Sequence, residues 1–198
     1  ERCVEIGEQA PTLGLIGGIA PASTIDYYRL LVEGWQARRP DGSQPLLLIN
    51  SIDLQTLLGH LEAGAHGAVV DWLLDELGKL MRGGADLALF CSHTPHLLFH
   101  EIAARSPIPL VSIVDATARA VHAEGLARVG LLGTRFTMEG GFYTQALARH
   151  RITVSIPPDS DRAWVHDRYL GEVARGILLD ATRAEMAAVI ERMRVRDG

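Results

Sequence analysis

A chain of 198 residues with a formal net charge of -5 is long enough to bury a sizeable core, as one domain or as two small lobes. Its basic residues are scattered rather than gathered into a stripe, which argues against nucleic acid as a partner. No apolar run approaches the roughly 18 residues that span a bilayer, and Glu1 to Ala10 lacks the basic-then-apolar build of a signal peptide; the expectation is a cytoplasmic protein with no membrane partner.

In chain order, Glu1 to Pro11 is a polar leader and Thr12 to Ile16 a first strand, ended by Gly17-Gly18. Pro21 suits a first helical turn, and Ile25, Leu30, Leu31 and Trp35 carry a helix to about Ala37. Leu46 to Ile49 reads as a second buried strand that runs out at Asn50-Ser51. Leu54 to Ala63 and Ala68 to Met81 read as helices, the second closed by Gly83-Gly84. Leu87 to Phe90 is a third buried strand, handing over through Cys91-Ser92-His93-Thr94-Pro95-His96 to a helix over Leu97 to Ala104.

Ile108 to Val111 reads as a short strand, Ala116 to Ala123 as a helix and Gly125 as its stop. Val129 to Leu132 is the next strand, ending at Gly133-Thr134. Thr137 introduces a helix to about Ala148, and Ile152 to Ser155 is a last short strand. Helical periodicity returns over Ser160 to Ile177 and Thr182 to Arg194, with Thr182 and Glu185 spaced as a capping box. The pattern predicts an α/β fold of two similar lobes, over 12–112 and 113–198, each a mostly parallel sheet flanked by helices with the site in the cleft between them. A final helix with no strand after it leaves the second lobe incomplete.

In such sheets ligands gather beyond the carboxyl ends of the strands, so the cluster from Cys91 to His96 is the first place to look for chemistry. Cys91 reads either as a small buried hydrophobe or as a thiol whose pKa is lowered beside a helix N-terminus and two imidazoles. Cys3 and Cys91 are too few for a disulfide framework or a metal cluster, and fit a reducing compartment. The remaining histidines sit mostly in helical or polar segments, so no metal site is expected. The glycines of Gly14 to Gly18 miss the dinucleotide spacing and no phosphate-loop lysine follows; they either turn the chain tightly or line a pocket with N–H groups. Ser92 lacks the flanking glycines of a nucleophile elbow.

Three stretches resemble the cofactor-independent aspartate/glutamate racemases, within the superfamily that includes hydantoin racemases and arylmalonate decarboxylases. They are Gly14-Leu15-Ile16-Gly17-Gly18-Ile19 before Ser23-Thr24; Cys91 to His96, against the family's Cys-Asn-Thr-x-His; and Gly130 to Glu139 with Phe142-Tyr143. Aligned through Thr94 to His96, the family's first cysteine falls on Ser92 and its asparagine on His93, with Cys91 one place early. The lysine that many members carry near the penultimate helix has Ala163-Trp164 in its place. The family's second cysteine lies on a strand after the helix that here reaches Arg194, and no such stretch follows in this chain.

The resemblance implies a two-lobed enzyme that removes the α proton of an amino acid on one face and returns it on the other, without pyridoxal phosphate, nicotinamide or zinc. It puts Ser92 and Cys91 in the acid/base role, and Gly18, Ser51, His93, Thr94, Thr134 and Thr137 around a small amino acid or dicarboxylate. No cofactor is expected, and a homodimer is left open. The competing readings are a relative that binds a small carboxylate without racemising it, and a one-base decarboxylase or isomerase.

Overall fold

The computed structural model describes residues 10–197, so Cys3 and most of the polar leader lie outside the described residues. Strand β1 (Leu13–Gly17) is the middle of a three-stranded sheet, with β2 (Leu47–Ser51) and β3 (Leu87–Phe90) parallel to it on either side. Parallel neighbours cannot be joined by a tight turn, so helices make the crossovers. Helix α1 (Pro21–Arg38) connects β1 to β2, and α2 (Leu54–Glu62) with α3 (His66–Arg82) connects β2 to β3. Local signals fix their ends: Pro21 stands in the first turn of α1, the Asp53 carboxylate caps α2 by accepting from Thr56 N–H at 2.8 Å, and Gly84 leaves α3 at φ 96°.

The pairing register puts Gly17 opposite Ser51 and Ile16 opposite Phe90, so all three strands finish on one edge. Cys91 extends the ladder by donating its N–H to Ile16 O at 2.9 Å, and Ile52 does the same to Gly17 O at 2.9 Å. Successive side chains point to opposite faces of a sheet. Ile16 and Phe90 therefore enter a large core with Leu57, Leu73, Leu77 and Ile102, while Leu15, Leu89 and Cys91 face Tyr27 and Leu31 of α1. Each fully buried aliphatic or aromatic side chain there contributes about 1.5–3 kcal/mol. On the large-core face Glu76 of α3 is buried as an ion, held by Lys79 Nζ at 2.8 Å and by the Asn50 amide at 2.7 Å.

After β3 the chain makes a 3₁₀ turn (Thr94–Leu98) and then α4 (Phe99–Arg105). The second lobe comprises α5 (Ile113–Ala123), β4 (Arg128–Gly130), α6 (Arg135–Glu139), α7 (Phe142–Ala148), β5 (Thr153–Ser155), α8 (Asp159–Gly171) and α9 (Asp180–Asp197). Its sheet is the parallel pair β4 and β5 among the described residues. One face packs against α5 and α7 through Val114, Ala118, Leu147 and Ile152; the other packs against α8 and α9 through Val165, Val189 and Met193. A cavity of about 760 Å³ lies between this sheet and α9, lined by Arg128, Gly130, Ser155, Ile190, Met193 and Arg196. The α/β class with helix-flanked parallel sheets is thus as the periodicity predicts.

Four local expectations need correction. Ile108 to Val111 is not a strand: it pairs with β3 through a single bridge, Ala88 with Leu110, because Pro107 and Pro109 have no N–H to continue a ladder. The helix after β3 begins as a 3₁₀ turn with Pro95 near its start, so no α-helix N-terminus follows Cys91 directly. The helix expected from Thr137 to Ala148 is two helices, parted at Gly140-Gly141, where Gly141 takes φ 74°. Thr182 does not cap the last helix, which starts at Asp180; its hydroxyl donates to the Glu172 carboxylate instead.

The turn after β1 is packed closely against the end of β2. Gly18 has φ 84°, and a Cβ there would stand 2.4 Å from Ile52 O and 2.5 Å from Ser51 Oγ. Gly42 has a similar φ of 77° with open space around it. Gly18→Ala is expected to cost about 1–3 kcal/mol from backbone strain alone, with the steric clash added. Urea unfolding midpoints should therefore fall further for Gly18→Ala than for Gly42→Ala.

Candidate active site

The strand-end edge of the first lobe and the α6–α7 face of the second meet along one seam. Helix α6 packs on the Thr94–Leu98 turn, Phe136 joins the large core, and α1 packs on the Val173–Arg175 turn of the second lobe. Gly18 and Ser51 adjoin each other on this edge. The Gly18 N–H is donated to Thr24 Oγ1 at 3.0 Å, so in this structure the diglycine secures the turn into α1. Asn50 is at the same strand end, but its amide is directed into the first lobe and engaged by Glu76.

Cys91 is 2 % exposed and packs with Leu15 and Leu89. Burial pushes its thiol up to about 12, because a thiolate would lose its hydration without gaining a partner. Of the two readings of Cys91, the small buried hydrophobe is the one the packing matches. Two causes act together: the sheet alternation turns the side chain under α1, and the next turn is 3₁₀. Ser92, one residue on, is half-buried.

His93 reaches across the seam. Its Nδ1 lies 2.7 Å from the Tyr143 hydroxyl of α7, with the rings 5.6 Å apart. Tyr143 is 4 % exposed and anchored in the second-lobe core. Burial raises the Tyr143 hydroxyl above its ordinary value and lowers the His93 imidazole below its own, so both are neutral near pH 7. Tyr27 of α1 stands near both Cys91 and Tyr143; its hydroxyl is pushed up to about 12 by burial and by these two acids.

His96 ties the same loop to the second lobe. It is 3 % exposed, stacks on Phe99 at 4.9 Å, and its Nε2 accepts the Ile113 N–H at the start of α5 at 3.3 Å. Burial, with His93 nearby, pushes its imidazole down to about 4. Thr134 caps α6, accepting the Thr137 N–H at 3.2 Å, and the two hydroxyls are 3.1 Å apart. Both threonines are buried, as is Thr94. Of the residues singled out from sequence, Gly18, Ser51 and Cys91 to Thr94 share the first-lobe edge. Thr134 and Thr137 come to the seam through α6. Tyr27 and Tyr143 had no role assigned from sequence; Tyr143 lay inside a recognised motif, whereas Tyr27 carries no signal beyond its helix period. Among the described residues no group of three His, Cys, Asp or Glu side chains is placed to hold a metal ion.

Helix-flanked parallel sheets of this kind are what the racemase motifs imply, and comparison with known proteins gives the same family and fold. Residues 16–198 match the Asp/Glu/Hydantoin racemase family, and the chain belongs to it. A crystal structure from Yersinia pestis, described as that of an Asp/Glu racemase, is 32 % identical with a TM-score of 0.81, over 94 % of this chain and 82 % of the other. An aspartate racemase homologue from Pyrococcus horikoshii is also 32 % identical, with a TM-score of 0.75, over 94 % of this chain and 81 % of the other. The Picrophilus torridus aspartate racemase, at 21 % identity, shares the fold with a TM-score of 0.74, over 93 % of this chain and 77 % of the other.

His96 makes the seam acid-sensitive. Its folded pKa of about 4 lies below the ordinary 6.5, so its contribution to stability is present above pH 6.5 and is lost as the pH falls toward 4. His96→Phe removes this component together with the acceptor for Ile113 N–H. Urea unfolding from pH 7.5 to 4 should show a less stable variant near neutrality and a gap to the parent protein that narrows through the window.

Proposed function

We propose that the chain forms the cleft of an amino-acid racemase that needs no cofactor and acts in the cytoplasm on a small amino acid or dicarboxylate. The reaction is removal and return of the α proton. Ser92 and Cys91 are the acid/base candidates of the first lobe, Ser92 half-buried at the strand end and Cys91 buried beneath α1, and Gly18, Ser51, His93, Thr94, Thr134 and Thr137 supply the surroundings that hold the carboxylate. A homodimer is compatible with this reading. Its main support is the meeting of family motifs from both lobes along the seam where His93 contacts Tyr143.

The chemistry demands such a setting. An α proton beside a carboxylate is very weakly acidic, so the enediolate formed on its removal must be stabilised by N–H and O–H donors in a site poor in water. The proton itself must pass to a group within hydrogen-bond reach. Neutral hydroxyls and imidazoles suit this role, because their donors keep full strength without an opposing negative charge.

Each enantiomer of aspartate and of glutamate, incubated with the protein in D₂O, should gain deuterium at the α carbon by NMR. Loss of optical rotation at the same rate would mark acid/base groups on both faces, and retained rotation a group on one face. Absence of α-deuterium with all four would overturn the reading in favour of carboxylate binding alone.

A further inference from the structure

The two lobes open on the same kind of strand and turn. Gly14-Leu15-Ile16-Gly17-Gly18 in the first has its counterpart in Gly130-Leu131-Leu132-Gly133-Thr134 in the second. Both opening strands take their next strand in parallel on one side, β2 beside β1 and β5 beside β4. The helices that follow also correspond. A Cβ on Gly14 would meet Leu80 of α3 at 2.9 Å, and one on Gly130 would meet Met193 of α9 at 3.2 Å. The lobes differ at the other edge, where β1 carries β3 and β4 carries no strand among the described residues.

That edge is chemically unfinished. In a parallel ladder alternate residues turn both backbone groups to the same neighbour. Thr153 donates to Ala127 O and Leu131 to Ser155 O, each at 2.9 Å, so Ala127, Val129 and Leu131 serve β5. Arg128 and Gly130 therefore turn their N–H and C=O groups outward. Beside them is the cavity of about 760 Å³, which Gly130, Leu132 and Ile190 line. In the first lobe Ala88 of β3 stands opposite Gly14 and closes the matching space, and Leu77, one helical turn before Leu80, is 0 % exposed. Ile190, one turn before Met193, is 53 % exposed.

We propose that this edge is a docking site for an extended segment of another polypeptide, which joins the sheet as a parallel strand beside β4. Unpaired strand edges take up chains in this way, main-chain bonds giving affinity and side-chain fit giving selectivity. The first lobe shows what the segment must look like. It is a short apolar run like β3, with a small residue opposite Gly130. Asp86, just before β3, accepts the Thr12 N–H at 2.7 Å. The counterpart of Thr12 is Arg128, and Arg194 lines the same cavity, so an acidic residue ahead of the apolar run suits this groove. A second copy of this chain fits worse, because its own β4 would bring a glycine to the cavity and a further arginine beside Arg128.

The probe is a dye-labelled peptide with the sequence of Ala85 to Phe90, followed by a lysine tail for solubility. In the protein Ala88 donates its N–H away from β1, to Pro109 O at 2.9 Å, so Leu89 is the residue whose N–H is turned to β1. N-methylation of the Leu89 amide should weaken binding about tenfold or more by fluorescence anisotropy, and N-methylation of the Ala88 amide should leave it close to that of the plain peptide. By NMR the Arg128 and Gly130 amides should exchange with solvent faster than those of Val129 and Leu131, and should slow when the plain peptide is added. Absence of binding would overturn the proposal, as would equal binding by the two methylated peptides, which marks an apolar surface without strand geometry. Arg128 and Gly130 amides already slow in the protein alone would also overturn it, and a slowing that grew with protein concentration would do so in favour of a second copy. None of these results bears on α-proton exchange, so the racemase reading stands or falls separately.

Discussion

A parallel ladder sets relative heights as well as neighbours, and the pairing of β1 between β2 and β3 does this for the whole candidate site. With Gly17 level with Ser51 and Ile16 level with Phe90, the three strands end together, and the residues just beyond them are brought to one edge. A slip of one residue in β3 would exchange its faces, sending Phe90 under α1 and Cys91 into the large core. The register is held by apolar burial on both faces of the sheet, so the position of the polar cluster follows from side chains that have no part in its chemistry.

The second dependence is the joining of the lobes by two neighbouring histidines with different tasks. His96 is enclosed by aromatic rings and spends one nitrogen on the start of α5, which makes it a structural rivet. His93 meets a tyrosine rooted in the opposite core and remains only half-buried. In both, desolvation favours the uncharged ring, because an imidazolium between packed surfaces would lose more hydration than its few partners return.

Much of the first lobe is legible in the chain itself. Leu87 to Phe90 is an uninterrupted apolar run bounded by polar residues, and it is the observed strand. Pro21 and Gly83-Gly84 mark ends that the structure keeps, because proline and glycine act through local backbone geometry. The direction of Cys91 is also implicit, since it shares its parity with Leu89; the attraction of a helix terminus for a thiolate points the other way and loses to burial. The pairing of His93 with Tyr143 has no such local signature, because the two are 50 positions apart and meet only when the lobes do. Thr182 shows the same limit: its spacing from Glu185 imitates a cap, and a carboxylate ten positions away claims the hydroxyl.

The placement of Cys91 also bears on how the protein meets oxidants. Oxidation by peroxide or disulfide begins with attack by a thiolate that solvent can reach, and a thiol 2 % exposed and held protonated offers neither property. The same applies to electrophilic alkylating agents, which need the thiolate as nucleophile.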